Sequence, residues 1–139
     1  MTATYAQARD EIFAVINAAW STTSFLMIWP DKVAEKPIPR TPWARTTILH
    51  TDGGQSTLAN HQGLQRFRRD GIVTVQIFTP VGEGTQRSYD LAKVISDALE
   101  GTTTARGVWF RNVRLKEIGS DTPWFQVNIN SDFYYEELK

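Results

Sequence analysis

Leu64-Gln65-Arg66-Phe67-Arg68-Arg69-Asp70-Gly71-Ile72-Val73-Thr74-Val75-Gln76-Ile77-Phe78-Thr79 is the stretch on which the fold turns. Val73, Val75 and Ile77 alternate with Ile72, Thr74, Gln76 and Phe78, the period of a strand with unlike faces. Asp70-Gly71 stands between two strand-like runs. A type I′ turn needs positive φ at both central residues, and Asp-Gly supplies it. The spacing therefore predicts a β-hairpin of 64–69 with 72–79.

Upstream, Tyr5, Ala8, Ile12, Val15, Ile16 and Ala19 recur at helical spacing, and Thr4 with Gln7 has the spacing of a capping box. A helix is expected from Thr4 to about Trp20. Phe25 to Trp29 reads as a short buried strand stopped by Pro30-Asp31. Lys32 to Pro42 holds Pro37, Pro39 and Pro42, which remove ladder donors and favour an extended connection. Trp43 to Leu49 alternates again as a strand, and His50 to Gln62 is polar, with Gly53-Gly54, and reads as a long loop.

Downstream, Pro80 to Gly84 is a turn. Thr85 to Glu100 is a second helix, with Tyr89, Leu91, Ala92, Ile95, Ala98 and Leu99 on its apolar side. Gly101 stands where a left-handed cap belongs. Val108 to Ile118 and Pro123 to about Tyr134 are two closing strands joined by Gly119-Ser120-Asp121-Thr122. The class is α+β: a mostly antiparallel β-sheet with two helices packed on it.

The chain has 139 residues, 41% of them apolar, with 15 Lys+Arg against 15 Asp+Glu and no Cys. About 100–200 residues make one domain, so residues 1–139 are expected to form one, soluble and cytoplasmic. Zero Cys excludes disulfides and thiolate chemistry. A zero net charge disfavours a nucleic-acid binder that works by bulk electrostatics. No apolar run has the length of a membrane helix, and Met1 to Tyr5 lacks the basic and apolar regions of a signal peptide.

Catalytic signals are thin. His50, Asp52 and His61 share one polar stretch, but a metal wants three or four ligands and a supporting shell, and exposed loop residues explain them. Glu136 and Glu137 are neighbours and point to opposite faces of an extended chain, so they make no acid/base pair. Gly82-Glu83-Gly84 before a helix has Arg87 where the dinucleotide fingerprint wants its third glycine, and Glu83 would repel a phosphate. No Gly-x-Ser-x-Gly elbow exists.

Charge is segregated along the chain. Arg40, Arg45, Arg66, Arg68 and Arg69 face only Asp52 between 40 and 69, whereas Glu117, Asp121, Asp132, Glu136 and Glu137 face only Lys139 from 117 onward. One reading is two solvated surfaces. The sharper one is head-to-tail self-assembly, a basic patch (Arg66, Arg68, Arg69) on one copy meeting an acidic patch (Asp132, Glu136, Glu137) on the next. A third reading is single-stranded nucleic acid bound by Arg66 to Arg69 with Phe67.

The chain also resembles the small tail-terminator and tail-completion proteins of long-tailed bacteriophages. The segments that carry the resemblance run in order along nearly the whole chain. They are Ile12-Phe13 to Trp20, Ile28-Trp29-Pro30-Asp31, Pro42-Trp43-Ala44-Arg45, Val75-Gln76-Ile77-Phe78-Thr79-Pro80 and Gly82-Glu83-Gly84. Then come the helix to Leu99, Gly107-Val108-Trp109-Phe110, and Trp124-Phe125-Gln126-Val127-Asn128-Ile129 leading into Phe133-Tyr134-Tyr135. The resemblance implies an α+β domain that assembles as a ring, commonly a hexamer, at the head-proximal end of the tail tube. Its partners would be other copies of itself, the tail tube protein and a head-completion protein. It would be cytoplasmic in the host bacterium during assembly and then part of the virion tail. No catalysis, cofactor, metal, membrane or specific nucleic acid is implied. The alternative is a small-ligand or enzymatic domain using the 50–62 loop.

Overall fold

A computed structural model describes residues 2–32, 35, 41–57 and 63–139. Two helices, α1 (Tyr5–Trp20) and α2 (Gln86–Leu99), lie on one face of a five-stranded sheet. The strands are β1 (Leu26–Ile28), β2 (Trp43–Gln55), β3 (Arg66–Pro80), β4 (Trp109–Asp121) and β5 (Trp124–Leu138). Their order is β1-β2-β3-β5-β4, with β1 parallel to β2 and every other pair antiparallel.

The sequence patterns explain the layers. Thr4 Oγ1 accepts from the Gln7 N–H and the Thr4 N–H donates to Gln7 Oε1, so the capping box starts α1 as expected. Ala8, Ile12, Ile16 and Trp20 of α1 and Leu91, Ala92, Ile95 and Leu99 of α2 are buried against Val73, Val75 and Ile77 of β3 and Val127 and Ile129 of β5. Each fully buried Ile or Val contributes roughly 1.5–3 kcal/mol. Gly101 ends α2 at φ 71°, the left-handed cap read from sequence. Tyr89 is exposed, and buried Ser88 takes the inner position expected of it, its hydroxyl donating to the Thr85 carbonyl.

Four local expectations are corrected. Asp70-Gly71 makes no turn: β3 runs through it as one strand of 15 residues, paired with β2 on one side and β5 on the other. Neither residue takes positive φ. The glycine answers to space, because a Cβ at Gly71 would lie 2.5 Å from the Leu49 carbonyl oxygen and 2.5 Å from the Phe133 ring. Secondly, 50–55 are strand rather than loop, with Gly53 and Gly54 opposite Arg69 and Arg68 across a bulge between His50 and Asp52. Thirdly, β1 is a half-exposed edge strand, not a buried one, since only three residues pair with β2. Finally, the last hairpin turns at Thr122-Pro123, and β5 extends to Leu138. Pro37, Pro39, Arg40 and His61 lie outside the described residues.

Candidate functional site

The six residues expected at an interface cluster at one end of the β3–β5 ladder, but they do not form two patches of opposite sign. Successive side chains of a strand point to opposite faces, so Arg66 and Arg68 project from the face without helices and Arg69 from the helix face. Glu136 and Glu137 divide in the same way. Antiparallel pairing then sets each base beside an acid of its own chain. Arg66 Nη1 lies 3.0 Å from Glu136 Oε2, Arg69 Nη2 lies 3.1 Å from Glu137 Oε1, and Arg114 Nη1 lies 3.3 Å from Asp132 Oδ1. Arg68 Nε pairs within its own strand with Asp70 at 3.0 Å. Two of these pairs, Arg66–Glu136 and Arg69–Glu137, join the basic run of β3 to the acidic run of β5.

Arg69 and Glu137 are the shielded pair, with side chains 11% and 17% exposed. The Arg69 guanidinium also lies over the rings of Tyr5 and Phe67, 5.2 and 5.5 Å from their centroids. It packs against the backbone at Gly53, where a Cβ would come within 3.1 Å of Arg69 Nη1. Next to it, His50 Nε2 lies 2.7 Å from the Tyr135 hydroxyl, and Tyr5, Phe133 and Tyr135 meet the imidazole edge-on. Burial, helped by the Arg69 charge, lowers the His50 pKa from 6.5. Burial, followed by the neighbouring Tyr5 hydroxyl, pushes Tyr135 up to about 12. Both shifts favour a neutral imidazole beside a protonated phenol.

Of the stretch expected to carry the ligand-binding alternative, 50–55 are strand, and His61 lies outside the described residues. His50 and Asp52 are strand residues, and the Asp52 carboxylate accepts the N–H of Gly53. Among the described residues no three His, Cys, Asp or Glu side chains gather as a metal site. Gly82-Glu83-Gly84 is an exposed turn whose Glu83 pairs with Arg87 at 3.4 Å. An apolar groove of about 380 Å³ runs between α1 and β2, lined by Tyr5, Arg9, Phe13, Pro30, Ile48 and His50.

The sheet face that the helices leave uncovered is polar along β5, as the alternation of Gln126, Asn128 and Asn130 with Val127 and Ile129 in the sequence implies, but its cross-strand rows exist only through register. Cross-strand rows run over it: Arg45–Gln76–Asn128–Lys116, then Thr47–Thr74–Asn130–Arg114, then Leu49–Ile72–Asp132–Arg111. At one end Trp43 stacks on Phe78 with centroids 4.1 Å apart, and Trp124 meets Trp43 edge-on. At the other end Trp109 stacks on Tyr134 at 6.2 Å.

No family model matches the chain, and no curated protein matches it. Solved structures do. One, which bears only a sequence identifier for a name, is 15% identical, covers 93% of this chain and 95% of its own, and superposes with a TM-score of 0.66. That likeness establishes a shared fold. Another, described as the virion of a native gene transfer agent particle, is 14% identical over 93% of this chain and 91% of that one, with a TM-score of 0.48. Among the described residues no helix is long and apolar enough to cross a membrane.

Proposed function

We propose that this chain is a structural protein of phage-type virion assembly, a ring-forming tail terminator or head–tail joining component that caps the tail tube, and not an enzyme. The observation that carries the reading is the ordered series of apolar and turn segments, from Ile12-Phe13 to Phe133-Tyr134-Tyr135, that resembles tail-terminator and tail-completion proteins over nearly the whole chain. The α+β architecture implied by that resemblance agrees with the sheet and two helices. In this reading the partners are further copies of the chain, a tail tube protein and a head-completion protein. Assembly takes place in the host cytoplasm and ends in the virion tail, without cofactor or metal. Among the six charged residues, Arg66, Arg68, Asp132 and Glu136 keep enough exposure to meet a neighbour, whereas Arg69 and Glu137 hold β3 to β5.

Sedimentation velocity over a range of concentrations tests the reading, together with electron microscopy of polymerising tail tubes. A closed ring, or a monomer that caps growing tubes and halts their lengthening, is the expected result. A chain that stays monomeric and leaves tube length unchanged sinks it.

A further inference from the structure

The edge strand β4 carries a basic track that exists only because the strand is bulged. Arg111 stands opposite Asp132, Arg114 opposite Asn130 and Lys116 opposite Asn128, three successive alternate positions of β5. Each step is therefore two strand residues, about 7 Å. Simple alternation from Arg111 would put Val113 and Leu115 on this face. The irregularity between Arg111 and Arg114, with Asn112 at φ 55°, inserts one residue and turns Arg114 and Lys116 to the helix-free side. A bulge that re-aims side chains costs ladder hydrogen bonds, and here its effect is to align three cations.

An aromatic platform closes one end of the track. Trp109 is 45% exposed and lies parallel to Tyr134, at an angle of 8°. The Arg111 and Arg68 guanidinium groups sit over Tyr134, 5.3 and 4.4 Å from its centroid. The carboxylates on this part of the face are engaged, Asp70 with Arg68 and Asp132 with Arg114. Arg111 and Lys116 make no ion pair among the described residues, which leaves positive charge uncompensated along the edge.

From this geometry we infer that the helix-free face binds single-stranded nucleic acid along β4, independently of the assembly role. Phosphates lie over Arg111, Arg114 and Lys116, and a base stacks on Trp109. Evenly spaced cations beside an exposed ring match a chain of alternating phosphate and base, in which stacking is tolerant of sequence and the charge contacts set the salt dependence. An acidic protein surface would use the cations and leave the stacked platform idle. The site differs from the Arg66–Arg69 run considered from sequence: it lies along β4 beside the exposed Trp109, and two of its three cations, Arg111 and Lys116, have no ion-pair partner among the described residues.

Fluorescence anisotropy of a labelled oligothymidine of about 16 nucleotides tests this on the intact chain at low salt. Binding is expected to weaken as salt rises. The triple variant R111A/R114A/K116A should reduce the log–log salt slope by about 2, at roughly 0.7 per lost phosphate contact, and R111K/R114K should restore most of the affinity. Trp109→Ala should weaken binding about tenfold. An abasic oligomer on the unaltered protein repeats that comparison without any variant and should also bind more weakly. The inference is overturned by absence of binding at low salt, by unchanged affinity in the folded triple variant, by equal binding of the abasic chain, or by equally effective displacement with polyglutamate.

Discussion

Tyr135 is 1% exposed, and its hydroxyl has His50 as its partner at 2.7 Å. Removing the hydroxyl keeps the ring packing but leaves the imidazole without that bond, so Tyr135→Phe should cost about 1 kcal/mol in urea denaturation. The imidazole also gives stability a pH dependence. Its folded pKa lies below the unfolded value of 6.5, so the unfolded chain binds the proton more readily. The contribution is complete above pH 6.5 and declines as the pH falls through the lowered folded value. Melting temperatures between about pH 8 and about pH 5 should therefore fall, and His50→Gln should flatten that fall; an unchanged slope would place the proton elsewhere. Gly71 is the other residue with a sharp expectation. Its missing Cβ would strike both a carbonyl oxygen and an aromatic ring at 2.5 Å, neither able to yield cheaply. Gly71→Ala should destabilise the fold by about 3 kcal/mol, the upper end for overpacking.

Among the elements, β3 shows best how far local signals reach. Val73, Val75 and Ile77 are legible as a buried face because strand alternation is a property of neighbours in sequence. Asp70-Gly71 is misleading for the opposite reason. What the glycine does depends on Leu49 and Phe133, which arrive from β2 and β5. The paired charges have the same origin: Arg69 and Glu137 are 68 residues apart and become neighbours only through register. Their burial separates them energetically from the other pairs. Breaking the shielded pair by Glu137→Gln should cost about 3 kcal/mol, the lower end for a buried ion pair stripped of one partner. Glu136→Gln, opposite the half-exposed Arg66, should cost less than about 1 kcal/mol. Equilibrium unfolding of the two variants and their Arg→Met double mutants measures the difference, and equal costs would show that shielding plays no part.

At the level of the whole molecule, the layers were readable and the surfaces were not. Helix stripes and strand alternation report which side chains leave water, and so predict two helices on one side of a sheet. They say nothing about which like charges will share a face, because bulges such as that between Arg111 and Arg114 change the alternation without a sequence mark beyond Asn112. This bears directly on how copies of the chain associate. Had Arg66, Arg68 and Arg69 formed one patch and Asp132, Glu136 and Glu137 another, association would be driven by opposite fields and would weaken by an order of magnitude or more in salt. In the folded chain Arg66 and Arg69 pair with Glu136 and Glu137 at 3.0 and 3.1 Å, Arg68 with Asp70 at 3.0 Å, and Asp132 with Arg114 at 3.3 Å, leaving little long-range field for a neighbour to feel. Self-association should accordingly change by less than about threefold between about 0.05 and about 0.5 M salt. Charge reversal at Arg68, whose partner is its own strand's Asp70, should leave the assembled species in place. Sedimentation velocity of the unaltered chain and of Arg68→Glu across that salt range measures both. A steep loss of assembly with salt, or its abolition by Arg68→Glu, would mean that these pairs open and re-form between copies.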